Sequence, residues 1–126
     1  MTFRTAVPIA AILLVAALPA ARAQTEVNIP VLVPITGFLS LEGTSQRNGA
    51  LLAIKNAPAG VKVTSEVTDT GVSPEGATTA LERALSRGKV SAVAASMLGT
   101  QMLAMLPVAQ ENKVPLTTVS GTAAIT

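Results

Sequence analysis

The sequence contains neither cysteine nor histidine. Lack of cysteine excludes disulfides, thiolate metal sites, a Cys nucleophile and a lipid-anchored amino terminus. Lack of histidine removes the commonest metal ligand and general base, and with it any Ser-His-Asp triad. Tryptophan and tyrosine are also missing, and the two aromatic residues are Phe3 and Phe38. A nucleic-acid stacking platform therefore has nothing to build on. Charged residues make up 13% of the chain and hydrophobic residues 49%, which is a globular rather than a disordered balance. The net charge of +2 rests on Arg4 and Arg22 near the amino terminus; without them seven basic residues (9 − 2) face seven acidic ones. The pI of 9.5 thus gives no reason to expect a nucleic-acid or membrane partner.

What the chain does have begins with an address. A short start carries Arg4, an apolar run extends from Ala6 to Leu18, and Ala21-Arg22-Ala23 supplies the small-x-small pattern that signal peptidase reads. The run of about 13 residues falls short of the roughly 20 needed to span a bilayer. Residues 1–23 are therefore read as a cleavable secretory leader, with Gln24 the first mature residue. The mature chain is expected in the periplasm, with no segment inserted in the membrane.

From Gln24 the pattern alternates. Strands are expected over Val27–Val33, Val61–Thr68, Val90–Ala95 and Val114–Val119. Between them, helices are expected from Thr44 or Ser45 to about Asn56, after Ser73-Pro74-Glu75, and over Gln101–Asn112 with Thr100 as cap and Pro107 as a kink. In the second helix Ala77, Ala80, Leu81, Ala84 and Leu85 form one apolar face. The order β-α-β-α-β-α-β predicts an α/β fold, a parallel sheet with helices on both faces. In such a sheet ligands sit outside the carboxyl ends of the strands, here the loops after Val33, Thr68, Ala95 and Val119.

Those loops carry little reactive chemistry. There is no Gly-x-Gly-x-x-Gly, no Gly-Lys-Ser/Thr and no Gly-x-Ser-x-Gly. Glu42 and Asp69 read most simply as solvated loop acids. No catalytic residue, metal site or cofactor is expected. Leu98-Gly99-Thr100-Gln101 opens a helix, whose first-turn N–H groups lack partners and suit a carboxylate. Ser120-Gly121-Thr122 adds hydroxyls from the next loop. Read from the residues alone, Thr100 is either a cap or a ligand contact, and Ser120-Gly121-Thr122 either a turn or part of a site.

Four ordered stretches carry a resemblance. They are Val33-Pro34-Ile35-Thr36-Gly37 with Arg47-Asn48-Gly49-Ala50; Thr68-Asp69-Thr70 with Ser73-Pro74-Glu75; Ala94 to Thr100 leading to residues 106–116; and Ser120-Gly121-Thr122-Ala123. Together they resemble the leucine/isoleucine/valine-binding protein family, the type I periplasmic binding proteins. The resemblance implies two α/β lobes closing on an amino acid or similar small solute, a membrane permease of an ABC transporter as partner, and no catalysed reaction. It implies that Leu98, Gly99 and Thr100, with Ser120 and Thr122, hold the α-carboxylate and α-ammonium of the ligand. It places a covering side chain from the first loop near Leu41 or Glu42, where relatives often have an aromatic residue. Members of the family run to several hundred residues, so residues 24–126 are expected to be part of an amino-terminal lobe. The alternatives are a ligand-sensing domain of the same fold in a signalling protein, a truncated fragment that binds nothing, and a secreted α/β enzyme with its catalytic residues elsewhere.

Overall fold

A computed structural model describes residues 24–125; the leader expected over residues 1–23 lies outside the described residues. The chain forms β1 (Thr25–Asn28), β2 (Val31–Val33), α1 (Ser40–Lys55), β3 (Val61–Thr64), β4 (Val67–Asp69), α2 (Pro74–Ser86), β5 (Val93–Ala94), α3 (Gly99–Glu111) and β6 (Leu116–Thr117). A short 3-10 turn, Ala123–Ile125, follows. All strand pairs are parallel, β1 with β3 and then β4-β2-β5-β6 in that order. The α/β architecture expected from the alternating pattern is the one observed.

The first two expected strands are each divided in two. Asn28 pairs with Thr64 and Val31 with Val67, so the register is unchanged across the break. Hydrogen bonds pass through it: Ile29 N–H donates to the Thr64 carbonyl at 2.9 Å and Val31 N–H to that of Glu66 at 2.8 Å. Residues 29 and 31 thus face β3 and β4, and Pro30 between them faces the other way, where its carbonyl accepts from Ala94 N–H at 3.0 Å. A proline has no N–H to give, and at this position it forgoes only a bond on the β5 side, where β5 has not yet begun. The last two strands are shorter than expected. Ser91 N–H bonds the Asn28 carbonyl at 2.9 Å and its hydroxyl accepts from Asn28 N–H at 3.2 Å, so this stretch is a side-chain-assisted link rather than ladder. Pro115 in turn has no N–H with which to lengthen β6.

Helices lie on both faces. Leu32 points into a core with Ala77, Ala80 and Leu81 of α2 and Met102, Met105 and Ala109 of α3. Small residues dominate the α2 stripe, so the two helices approach closely on that side. On the opposite face α1 is held mainly at its start. Gly43 is its one fully buried residue, and a Cβ there would stand 1.9 Å from the Pro34 carbonyl oxygen. That approach explains why α1 begins at Ser40, four residues before the expected start. Gly37, at φ +81°, makes the turn instead, and Gly43 is required inside the helix despite its low helical propensity. Glu42, expected in a loop, therefore lies in the first helical turn. Past Gly43, α1 borders a groove of about 1000 Å³ floored by Val27, Ile29, Val61 and Val63.

The start of α2 follows the expected pattern: Ser73 Oγ accepts from Gly76 N–H at 3.0 Å and Pro74 is the first helical residue. The start of α3 departs from it. Leu98 is the N-cap with no side-chain bond, and Thr100 is exposed in the first turn rather than capping. The helix continues through Pro107 to Glu111. Leu81 is fully buried between the helices and the sheet. Leu81→Ala is expected to cost about 2–5 kcal/mol, read as a lower urea midpoint by circular dichroism; a change below about 1 kcal/mol contradicts the packing described here.

Candidate functional site

β2 sits between β4 and β5. The chain leaves β2 through α1 towards one side and returns through α2 to the other, so the loops after β2 and β5 diverge at their carboxyl ends. That divergence is where a doubly wound sheet opens a crevice. Residues 34–39, 70–73, 95–98 and 118–122 surround it.

Side chains hold these loops. Asp69, at the end of β4, accepts from Ile35 N–H at 3.0 Å, from Gly71 N–H at 2.9 Å and from the Thr36 hydroxyl. Burial disfavours its charge, but the hydrogen bonds from Thr36, Gly71 and Ile35 outweigh that and hold the carboxyl below the usual carboxylate range. Gln101, fully buried at the base of α3, donates to the carbonyls of Gly71 and Ser73, both at 3.0 Å, and accepts from the Thr70 hydroxyl at 3.1 Å. Gln46 reaches from α1, donating to the Ala95 carbonyl at 2.7 Å and accepting from Met97 N–H at 3.2 Å. Thr118 donates to the Ser96 carbonyl at 2.7 Å and accepts from Ser120 N–H at 3.0 Å.

Inside this frame stand the residues expected from the sequence. The first intrahelical bond of α3 runs from Met102 N–H to the Leu98 carbonyl at 2.9 Å. The amides of Gly99, Thr100 and Gln101 therefore have no partner within the helix. Thr122 packs directly on Gly99, where an added Cβ would lie 1.8 Å from Thr122 Oγ1. The Ser120 hydroxyl is bonded to that of Thr122 at 3.2 Å. Leu98, Gly99, Thr100, Ser120 and Thr122 are thus brought to one end of the sheet. Glu42 is not joined to them by any hydrogen bond; it is exposed on α1 and borders the groove shared with Met97, Thr118 and Val119. No Lys or Arg occurs in residues 95–101 or 118–122, so an anion there meets amides, hydroxyls and the positive end of α3. Among the described residues no three acidic side chains cluster in a way that could hold a metal ion, and no helix is long and apolar enough to cross a membrane.

Gln46, Gln101, Thr118 and the bridging role of Asp69 are not apparent from the loop motifs. One signal was available for Gln101: it shares a helical stripe with Met105 and Ala109, and a polar group on a buried stripe must find partners. Gln46 and Thr118 carry no comparable local mark, because their partners are backbone atoms far away in sequence.

Two expected outcomes test this geometry. Gly99→Ala forces Thr122 away from α3 and is expected to cost about 1–3 kcal/mol; Thr122→Gly in the same chain is expected to recover most of that loss in urea unfolding, and an additive double variant would refute the contact. Asp69 has a depressed carboxyl, so its contribution to stability is complete above the unfolded value of about 3.9 and is lost as pH falls through the lower folded value. The urea midpoint is therefore expected to fall below about pH 4, and to fall less steeply in Asp69→Asn, which keeps an acceptor oxygen but cannot titrate. The measurement belongs at high salt, which screens the exposed Glu26–Lys62 pair, whose carboxylate is lowered by its hydrogen bond to Lys62 and the attraction of that charge.

Residues 26–126 match a family described as Periplasmic binding protein. No curated protein matches the chain. Solved structures do. The leucine binding protein LivK from Thermotoga maritima is 33% identical with a TM-score of 0.69, covering 75% of this chain and 27% of its own. A solute binding protein of an ABC transporter from Rhodopseudomonas palustris BisB5, in complex with 3,4-dihydroxybenzoic acid, is 26% identical with a TM-score of 0.72, covering 79% of this chain and 29% of its own. The branched-chain amino acid transporter substrate binding protein LivJ from Streptococcus pneumoniae, in complex with isoleucine, is 23% identical with a TM-score of 0.70, covering 76% and 29%; at that identity the likeness is one of fold. The chain thus spans less than a third of the length of each of these structures. With the family match over nearly all described residues and the parallel α/β fold in agreement, the chain belongs to the periplasmic binding protein family, as an amino-terminal portion of its fold.

Proposed function

We propose that the chain is the amino-terminal part of the substrate-binding component of an ABC transporter, exported by a leader over residues 1–23 and working in the periplasm. Its ligand is a branched-chain amino acid or a related small carboxylate, and its partner is the membrane permease. The observation that carries this reading is the meeting of the α3 amino-terminal amides with the Ser120 and Thr122 hydroxyls at the end of a parallel sheet, with no cation among them. Amides suit a carboxylate; hydroxyls and nearby carbonyls suit an ammonium. A site of this kind binds and orients, and with no histidine in the sequence to activate its Ser and Thr hydroxyls it suits a carrier rather than an enzyme. The neighbours complexed with isoleucine and with 3,4-dihydroxybenzoic acid both hold small carboxylates. Residues 24–126 form part of one lobe, and the remaining ligand contacts come from a second. Leu98, Gly99, Thr100, Ser120 and Thr122 form this lobe's half of the site, with Glu42 at its margin.

The test is to release the native product from the periplasm of producing cells, measure its intact mass and amino terminus, and follow its melting with leucine, isoleucine and 3,4-dihydroxybenzoate. The expected product begins at Gln24, is several times heavier than 12.7 kDa, and melts at higher temperature with at least one of these solutes. A product retained in the cytoplasm, or a periplasmic one that none of them stabilises, overturns the reading.

A further inference from the structure

The loop between β5 and α3 aims the amides of the proposed carboxylate site, yet it has little backbone support of its own. Ala95 N–H is tied to the Thr117 carbonyl at 2.8 Å. Beyond it, the Ala95 carbonyl and Met97 N–H find their partner in one side chain, Gln46, which donates to the first at 2.7 Å and accepts from the second at 3.2 Å. The loop is pinned on its other flank by Thr118, which donates to the Ser96 carbonyl at 2.7 Å, and inside by the Ser96 hydroxyl, which accepts from Leu98 N–H at 3.2 Å.

We infer that Gln46 is a positioning residue for ligand binding: its primary amide fixes the turn at residues 95–97 and thereby the direction in which the Gly99 and Thr100 amides point. The assignment rests on the function proposed above. A carboxamide is the side-chain group that matches both needs at once, since it presents a donor and an acceptor from one planar head. A carboxylate at the same place keeps the bond from Met97 but sets a negative oxygen against the Ala95 carbonyl. A thioether of similar length makes neither bond. Gln46 lies on α1, a helix that departs from the other side of the crevice and is anchored to β2 through the contact of Gly43 with Pro34. The side chain therefore fastens the loop after β5 to the helix that follows β2, across the opening where the two diverge. Two polar backbone groups at half-buried or buried positions would otherwise be left to water or to each other.

The experiment uses the native periplasmic polypeptide and its Gln46→Met and Gln46→Glu variants, with isoleucine as probe. Amide hydrogen exchange is read at Met97 and Leu98, whose N–H groups are bonded to Gln46 and Ser96, with Leu32 and Val33 as core references, and isoleucine affinity is read by calorimetry. In Gln46→Met, exchange at Met97 and Leu98 is expected to rise at least tenfold while the references hold, and the isoleucine Kd to rise at least tenfold. Gln46→Glu, which keeps one of the two bonds, is expected to fall between that variant and the unaltered protein in both readings. Unchanged exchange at Met97 and Leu98 overturns the assignment. So does faster exchange with unchanged Kd, which would make Gln46 a brace of the fold without bearing on the ligand. An unaltered protein that gives no heat with isoleucine is seen before any variant is made; it overturns the assignment for this ligand, whereas the carrier reading stands as long as leucine or 3,4-dihydroxybenzoate raises the melting temperature.

Discussion

Three residues, Val31, Leu32 and Val33, are shut off from solvent on both faces of the sheet and flanked on both edges by other strands. Each of the other elements is located by reference to this short strand. Leu32 anchors the α2–α3 layer. The Val33 carbonyl takes the Thr70 amide at 3.1 Å and so sets the turn into α2. Pro34, the next residue, is the surface on which Gly43 seats α1. A strand buried on both faces must be continuous apolar sequence, and its neighbours must arrive parallel because helices cover the faces. The position of the crevice follows from the same fact: it opens where the chain leaves this strand for opposite sides.

At the carboxyl edge the governing physics changes from burial to polar satisfaction. Turns there cannot pair with strands, so their amides and carbonyls are met by side chains. The three main braces divide the work by chemical type. Asp69 accepts only, and it faces three donors. Gln101 faces mainly carbonyls, and it donates. Gln46 faces one of each, and it does both. The four loops around the crevice hold this edge without a lysine or arginine of their own, and the positive ends of α1, α2 and α3 all begin along it.

The alternation of strand and helix was legible because burial writes itself into local sequence. Residues 74–86 carry a helical stripe with a hydroxyl and a proline ahead of it, and the helix formed there to within a residue or two. The less legible features share one cause: they depend on partners distant in sequence. Gly43 lies just ahead of the helix start expected at Thr44 or Ser45, and it is a close-packed helix residue because of Pro34. Thr100 looked like a cap, but the cap position falls on Leu98, since the helix starts where Gly99 can admit Thr122. Strands β5 and β6 were read too long because Ser91 and Pro115 end their ladders through contacts and absences that apolar patterning does not reveal. That the residues at the α3 start and after β6 share one edge of the sheet could be read in advance; the amide braces that hold that edge could not.

The register of the sheet also has a consequence in time. Val31 pairs with Val67 on one edge and with Ala94 on the other. The central strand therefore gains its first partner only when 36 further residues exist, and its second after 63. Closing such loops costs chain entropy before any contact repays it. A polypeptide emerging in order from its amino end leaves one edge of this strand unpaired until Ala94 has been made. The sheet therefore closes from its amino-terminal strands outward, and the crevice at its carboxyl edge is the last part of it to take shape.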